Sequence, residues 1–311
     1  MSESVCRLAG LHEGAALSCD SSRDGKMVIS SGIDGKVGIW DVTGEGAQYE
    51  IDSGVVNTCV RLWQGSSQLL AGCANGKVCI YDVETGRKMR QWGGGHKRVV
   101  NEIVGLCEEH LFGSVSDDGT LCWWDSRVRK PVGRVVGEFP LLTLALGRRG
   151  DGDERSPFLY TSGVEPVVRC YDLRKNTDLI AECETTHATG VSSLCVSSNG
   201  SRVCSLGFDD NLQFHDIDAS GKLKNRQDGA TIELPNSNRD RFLSRCSLME
   251  GVRYVLAYGY IIDIASAVIV SDKLQQAADG CQIIDMMYNE STKHALASCS
   301  DGTVLLYSLE K

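Results

Sequence analysis

The sequence predicts an all-β fold in which seven similar units close into a β-propeller. One pattern recurs along the chain: a small residue, a turn with Asp or Asn, alternating apolar residues, an aromatic residue and Asp. The aromatic positions are separated by 41, 43, 47, 44 and then 92 residues, and the last interval equals two units. These positions are Trp40, Tyr81, Trp124, Tyr171, His215 and Tyr307. A period of about 40–45 residues is typical of blades with four short strands.

The turns and the chain ends indicate how the units close. Asp-Gly or Asn-Gly pairs at 34–35, 75–76, 118–119 and 301–302 supply the positive φ angles of tight hairpins. The unit at 253–263 keeps its apolar strands but has no such pair. Residues 4–9 alternate apolar and polar side chains, so we expect them to form the outer strand of the seventh blade. This closure removes an open sheet edge.

We therefore expect one domain, a single seven-bladed propeller over residues 1–311. Two segments depart from the repeat. Residues 218–241 are polar and basic, which predicts a long exposed loop between blades five and six. Residues 147–156 are charged and form a predicted insertion in blade four. Loops of this length are commonly functional or disordered.

Composition disfavours several classes of function. The net charge of −9 opposes sequence-independent binding to naked nucleic acid. The apolar stretch at 260–270 contains Asp263 and is too short for a bilayer, so no membrane contact is predicted. Fourteen cysteines without a Cys-x-x-Cys pair predict buried thiols in a reducing compartment, with no metal site. We expect no cofactor and no small-molecule substrate.

The repeating units resemble WD repeats, and the resemblance covers nearly the whole chain. It implies a buried hydrogen-bonded tetrad of His, Ser or Thr, Asp and Trp in each complete blade. The corresponding positions are His12, Ser30, Asp34 and Trp40 in blade one, His96, Ser114, Asp118 and Trp124 in blade three, and His187, Ser205, Asp209 and His215 in blade five. His215 occupies the position where the family has Trp. Blades two, four, six and seven lack complete sets.

Sets of Ser, His and Asp could also indicate a hydrolase. Hydrolysis requires an exposed nucleophile beside an oxyanion hole, whereas repeated tetrads inside blades are structural. The chain also lacks a Gly-x-Ser-x-Gly elbow. We therefore predict a non-enzymatic scaffold for protein–protein interaction.

The resemblance also implies partner-binding positions. On the face where propellers of this family bind partners, the corresponding residues are Val99, Asn101, Asp117, Leu141, Thr143, Gly190, Ser192, Phe208, Gln282 and Ile284. Arg241 lies in the basic segment. Arg127 and Arg174 follow the blade Asp by two residues, in Trp-Asp-Ser-Arg and Tyr-Asp-Leu-Arg. Such an Arg either pairs locally or docks a ligase adaptor, as in substrate receptors of cullin-type ubiquitin ligases.

Within the WD-repeat proteins, the segments 100–102, 116–120, 191–200 and 238–247 resemble the small WD-repeat subunit of the U5 small nuclear ribonucleoprotein. This resemblance implies a nuclear role in pre-mRNA splicing, with cytoplasmic presence left open. The implied partners are the large U5 scaffold protein and its GTPase neighbour, with RNA reached only through the particle. The alternatives are a cullin-type ligase receptor and a propeller adaptor in ribosome assembly or checkpoint control.

Overall fold

The structure is a computed structural model that describes residues 5–42, 48–106, 108–147, 158–172, 179–218, 220–225, 231–235, 243–249 and 251–309. Within these ranges the chain forms seven antiparallel sheets that follow one another in sequence order. The first strands of neighbouring blades contact each other around the ring and line its centre. The predicted all-β, seven-bladed propeller is confirmed.

Blades one to four have four strands each. Blade one comprises β2 (Ala16–Ser21), β3 (Met27–Gly32), β4 (Lys36–Asp41) and β5 (Gln48–Asp52). Blade two comprises β6 (Asn57–Trp63), β7 (Gln68–Cys73), β8 (Val78–Asp82) and β9 (Lys88–Trp92). Blade three comprises β10 (Val100–Gly105), β11 (Leu111–Ser116), β12 (Thr120–Asp125) and β13 (Gly133–Val136). Blade four comprises β14 (Leu141–Gly147), β15 (Phe158–Gly163), β16 (Val167–Asp172) and β17 (Leu179–Glu184).

The last three blades are less regular. Blade five comprises β18 (Val191–Val196), β19 (Arg202–Gly207), β20 (Asn211–Ile217), β21 (Leu223–Asn225) and β22 (Ile232–Glu233). Blade six comprises β23 (Cys246–Met249), β24 (Tyr254–Ala257), β25 (Tyr260–Asp263) and β26 (Val268–Ser271), and the short helix α1 (Lys273–Ala277) follows it. Blade seven comprises β27 (Ile283–Asn289), β28 (His294–Cys299), β29 (Val304–Ser308) and β1 (Val5–Leu8).

The N-terminal strand closes the ring, as predicted. Strand β1 pairs antiparallel with β29, and Val5 lies opposite Tyr307. An ion pair between Arg7 and Asp301, with 2.5 Å between nitrogen and oxygen, reinforces the closure at the surface. The outer strand of blade seven therefore comes from the opposite end of the chain.

Apolar clusters between adjacent blades form the core. Side chains alternate between the two faces of each sheet, and both faces are buried against neighbouring blades. Between blades two and three, Trp63, Trp92, Phe112 and Trp124 pack together. The rings of Phe112 and Trp124 are stacked with their centroids 6.2 Å apart. Each blade thus completes the core of its neighbour.

Blade six keeps a tight hairpin although it lacks the Asp-Gly pair. Tyr258 and Gly259, between β24 and β25, both have positive φ angles, of 50° and 81°. Two positive φ angles at the central residues define the turn that suits a two-residue hairpin. The Tyr258 hydroxyl lies 2.9 Å from Oδ1 of Asp210 in blade five, which anchors this turn.

Residues 218–241, for which the sequence predicts an exposed loop, contribute strands to blade five. Strand β21 pairs with residues 215–217 of β20, and β22 pairs with Asn211 and Leu212. Residues 219, 226–230 and 236–241 of this segment lie outside the described residues, as do residues 148–156 of the predicted insertion. In the described ranges, α1 is the only α-helix, and no helix is long and apolar enough to cross a membrane.

Candidate protein interface

The structure brings the four predicted residues of blade one together. The Ser30 hydroxyl lies 2.7 Å from Nε2 of His12 and accepts a hydrogen bond from Nε1 of Trp40 at 3.0 Å. Nδ1 of His12 lies 3.4 Å from Oδ1 of Asp34. The Asp34 carboxylate also accepts the backbone N–H of Glu13 at 2.9 Å. The tetrad thus ties the segment before β2 to the turn between β3 and β4.

Blade three contains the same set with one additional residue. Nε2 of His96 lies 2.6 Å from the Ser114 hydroxyl, to which Nε1 of Trp124 donates at 2.8 Å. Nδ1 of His96, however, lies 2.5 Å from the Thr120 hydroxyl and 3.8 Å from Oδ1 of Asp118. Because Thr120 in turn donates to Asp118, the threonine relays the contact between histidine and carboxylate.

Blade five uses His215 where the family has Trp. The Ser205 hydroxyl lies 2.9 Å from Nε2 of His187 and 3.2 Å from Nε2 of His215. Nδ1 of His187 lies 3.0 Å from Oδ1 of Asp209. The second nitrogen of His215 lies 2.8 Å from Oδ1 of Asn225, so the network continues into strand β21. A tryptophan could not make this second contact, because its indole has one N–H.

These networks lie within single blades and commit three serines to the fold. The Ser30, Ser114 and Ser205 side chains are fully buried, and each bonds two ring nitrogens. Burial lowers the pKa of His12, His187 and His215, and it lowers the pKa of His96 to about 4. Neutral imidazoles of this kind are suited to hydrogen bonding inside a core.

A ring of hydrogen bonds between blades, which the sequence analysis missed, surrounds the centre. In six blades the first strand has a bulge near its start. At five junctions the side chain just after the bulge accepts a backbone N–H from the next blade. The pairs are Ser18 with Val60 at 3.3 Å, Glu102 with Leu144 at 2.7 Å, Thr143 with Leu194 at 2.8 Å, Ser193 with Cys246 at 3.1 Å and Asp285 with Cys19 at 3.1 Å.

Two of these acceptors are buried carboxylates with arginine partners. Oε2 of Glu102 lies 2.6 Å from a guanidinium nitrogen of Arg245, which reaches across from blade six. The same guanidinium donates to the carbonyl of Asn101 at 2.6 Å. Arg61 lies between the carboxylates, 3.4 Å from Glu102 and 3.4 Å from Asp285. Ion pairs therefore join blades two, three, six and seven across the centre.

The predicted partner-binding residues fall into three groups. Five of them are buried: Asn101, Leu141, Thr143, Ser192 and Ile284. Five others are half-buried: Val99, Asp117, Gly190, Phe208 and Gln282. Arg127 is exposed, whereas Arg174 and Arg241 lie outside the described residues. Asn101 and Thr143 use their side chains within the fold, because Asn101 donates to Asp117 and Thr143 donates to Glu102. Their role in binding a partner stays a prediction.

An open groove of about 340 Å³ lies between the outer parts of blades three and four. Its apolar walls include Val136, Phe139, Leu141, Tyr171 and Leu179. Among the described residues, half of the twelve large apolar side chains that are exposed lie on these two blades. They are Val128, Val132, Val136, Phe139, Val164 and Leu179. Of these, Val136, Phe139 and Leu179 line the groove, and contiguous exposed apolar side chains are typical of a protein-binding surface.

The charged side chains of this groove are mostly acidic. Arg169 is already paired with two carboxylates, at 2.5 Å from Glu165 and 2.8 Å from Glu182. Glu138 is exposed and has no ion-pair partner among the residues that the structure describes. The groove therefore combines apolar walls with an excess of negative charge. The sequence signal for it was Phe139, a large apolar residue in a connection between blades.

Arg127, on the outer side of blade three, pairs locally. Its guanidinium forms a bidentate contact with Asp125, with distances of 2.9 Å and 2.6 Å. Hydrogen bonds from Arg127 lower the pKa of Asp125 to about 2. The Arg127 side chain nevertheless remains 66% exposed.

Comparison with known proteins shows what the chain is similar to. The family described as "WD domain, G-beta repeat" matches residues 7–41. Pre-mRNA-splicing factor cwf17 of Schizosaccharomyces pombe is 26% identical over 168 residues, which are 53% of this chain and 47% of that protein. The U5 small nuclear ribonucleoprotein 40 kDa protein of Dictyostelium discoideum is 25% identical over 180 residues, 56% of this chain and 48% of that protein. E3 ubiquitin-protein ligase COP1 of Pisum sativum is 33% identical over 123 residues, 39% of this chain and 18% of that protein.

The matched region thus spans about half the length of the two splicing proteins and less of COP1. The predicted resemblance to WD repeats, and at modest identity to splicing proteins, is confirmed. The chain is a seven-bladed β-propeller, and one WD repeat is matched over residues 7–41.

Replacing Glu102 tests the ion pairs at the centre. Glu102→Gln leaves Arg245 buried without its carboxylate, so we expect the free energy of unfolding to fall by about 3–5 kcal/mol. The matched control is Asp216→Asn, which breaks the more exposed Arg202–Asp216 pair and should cost less than about 1 kcal/mol. Urea unfolding followed by tryptophan fluorescence measures both. Equal losses in the two variants would contradict a structural role for the central pair.

Acid stability tests the buried histidines. The pKa of His96 is about 4 in the folded state, whereas the ordinary value is 6.5. Between these values the unfolded chain binds a proton that the folded chain does not, so stability falls as the pH drops below 6.5. His96 alone should account for a loss of about 3 kcal/mol by pH 4. His96→Asn should be less stable at pH 7, but its free energy of unfolding, measured with urea, should fall less steeply as the pH drops. An unchanged dependence on pH would exclude His96 as a contributor.

Proposed function

We propose that this propeller is a non-catalytic scaffold of the U5 small nuclear ribonucleoprotein that acts in pre-mRNA splicing in the nucleus. The observation that carries the proposal is similarity over about half the chain to a splicing factor and to a U5 40 kDa protein. The buried tetrads agree with a scaffold, because their serines are committed to the fold. The partners we propose are the large U5 scaffold protein and its GTPase neighbour, with RNA contacted through the particle.

We assign the docking surface to the groove between blades three and four. At its rim, Val136 is 66% exposed and Phe139 is 46% exposed. A partner that covers these side chains gains the favourable free energy of burying them. The carboxylates of the groove outnumber its arginine, since Glu138 and Glu165 line it with Arg169. The complementary partner is a segment that inserts an aliphatic or aromatic side chain and carries Lys or Arg beside it. Central apolar anchors with a polar rim dominate the binding energy of such interfaces.

A second candidate function is a substrate receptor of a cullin-type ubiquitin ligase. It is favoured by the exposed Arg127 beside Asp125 and by similarity to a ubiquitin ligase over 39% of the chain. The bidentate contact with Asp125 weakens this candidate, because docking through Arg127 must compete with an existing ion pair.

Affinity purification of the tagged chain from nuclei, followed by probing for each spliceosomal RNA, tests the proposal. We expect U5 RNA to be strongly enriched over U1 RNA. Val136→Glu places a charge at the groove and should reduce U5 recovery about tenfold. Val268→Glu is the matched control, because Val268 is 57% exposed on the distant blade six, and it should leave recovery unchanged.

The outcomes separate the alternatives. Absence of U5 RNA would reject the splicing role, and recovery of a cullin adaptor that is lost with Arg127→Ala would establish the ligase candidate. Full U5 recovery with Val136→Glu would exclude the groove as the docking surface. Thermal unfolding of each variant verifies that the fold is intact.

A further inference from the structure

Three cysteines that are distant in sequence converge between blades five and six. Cys195 on β18 lies directly opposite Cys204 on β19, and Cys246 begins β23 of the next blade. Their sulfur atoms all lie within 4.8 Å of one another. Across the described ranges, this is the one group of three or more His, Cys, Asp or Glu side chains close enough to hold a metal ion. None of the three forms a disulfide.

The spacing of the sulfurs suits a common metal ion. Thiolate–metal bonds of about 2.3 Å place three sulfurs around one ion about 4 Å apart. The sulfurs of Cys195 and Cys246 are 3.6 Å apart, so this pair is already at a coordinating separation. All three side chains can therefore converge on one ion by small movements, without a change of strand register.

The surroundings of the three thiols favour a soft ion. Cys204 and Cys246 are buried in the apolar cluster between the two blades, whereas Cys195 is partly exposed. The backbone N–H of Cys246 donates to the Ser193 hydroxyl at 3.1 Å, which fixes the position of this residue.

We propose that Cys195, Cys204 and Cys246 form a binding site for one thiophilic metal ion, Cu(I) or Zn(II), that bridges blades five and six. Soft thiolates select these ions from the common biological metals. Three sulfurs satisfy a three-coordinate Cu(I), whereas Zn(II) would add a water as a fourth ligand. Binding replaces thiol protons with the ion and releases them to solvent, with no change of oxidation state.

The site is independent of the proposed splicing role and lies away from the groove of blades three and four. Its effect is mechanical, because the ion would link two strands of blade five to the first strand of blade six. Such a link stabilises the folded chain in proportion to how far the ion concentration exceeds its dissociation constant. Chelation should therefore loosen this junction.

Metal content after anaerobic loading tests the site. The reduced full-length chain, carrying Cys6→Ser to remove an exposed thiol, is incubated with Zn(II) or with Cu(I), passed over a weak chelator and measured by mass spectrometry. We expect about one ion per chain and a higher Tm with the preferred ion. Cys195→Ser and Cys246→Ser should each lose at least ten-fold in retained metal. Cys195→Ala provides a second variant at the least buried position.

Cys73→Ser is the matched control. Cys73 and Cys79 form a buried pair with sulfurs 3.9 Å apart but without a third thiol, so metal retention should be unchanged. If the unsubstituted site retains no more metal than Cys195→Ser, the three thiols are core side chains only and the proposal is wrong. After air oxidation, a loss of two hydrogens that disappears in Cys195→Ser, without bound metal, would assign the cluster to a disulfide instead.

Discussion

At five junctions of this propeller, a blade depends on its neighbour for a hydrogen bond of its innermost strand. One backbone N–H of that strand is directed towards the preceding blade. A buried N–H without a partner costs about 1–3 kcal/mol, and at five junctions a side chain from the neighbouring blade prevents this cost. The apolar cores between blades supply most of the cohesion. The ring of acceptors sets the register in which one blade packs on the next.

The fold was predictable because its units repeat at a fixed spacing, and the tetrad positions followed from the resemblance to WD repeats. His12, Ser30 and Trp40 have fixed chemical roles, so the same residue types recur in blade three. The ring of acceptors has no such signature, because any acceptor serves: serine, threonine, glutamate and aspartate all occupy the position. The Thr120 relay likewise depends on a threonine that sequence reasoning treats as an ordinary strand residue.

The groove and the thiol cluster were missed because they arise only when distant segments meet. Phe139 comes from a connection and Leu179 from the outer strand of the next blade. Cys204 and Cys246 are 42 residues apart and show none of the short spacings that mark metal ligands. Two repeats with similar amino-acid sequences can therefore present different side chains at their junctions.

Blades without complete tetrads use other contacts. In blade four, the Tyr160 hydroxyl donates to the carbonyl of Gly221 at 2.9 Å, which ties this blade to the hairpin of blade five. In blade five, Asn225 extends the network to the outer strand. Replacement bonds of this kind form between blades or with added strands. The ring is therefore held together unevenly, and its junctions differ more than its blades.

The pairing of β1 with β29 has a consequence for biosynthesis. Val5 leaves the ribosome 302 residues before its partner Tyr307, which belongs to the last strand of blade seven to emerge. At elongation rates of about 5–20 residues per second, β1 waits on the order of 15–60 s without its sheet. During that time the first strand of blade one also lacks the Asp285 carboxylate. A nascent propeller is consequently an open arc whose two ends stay unpaired until translation passes β29.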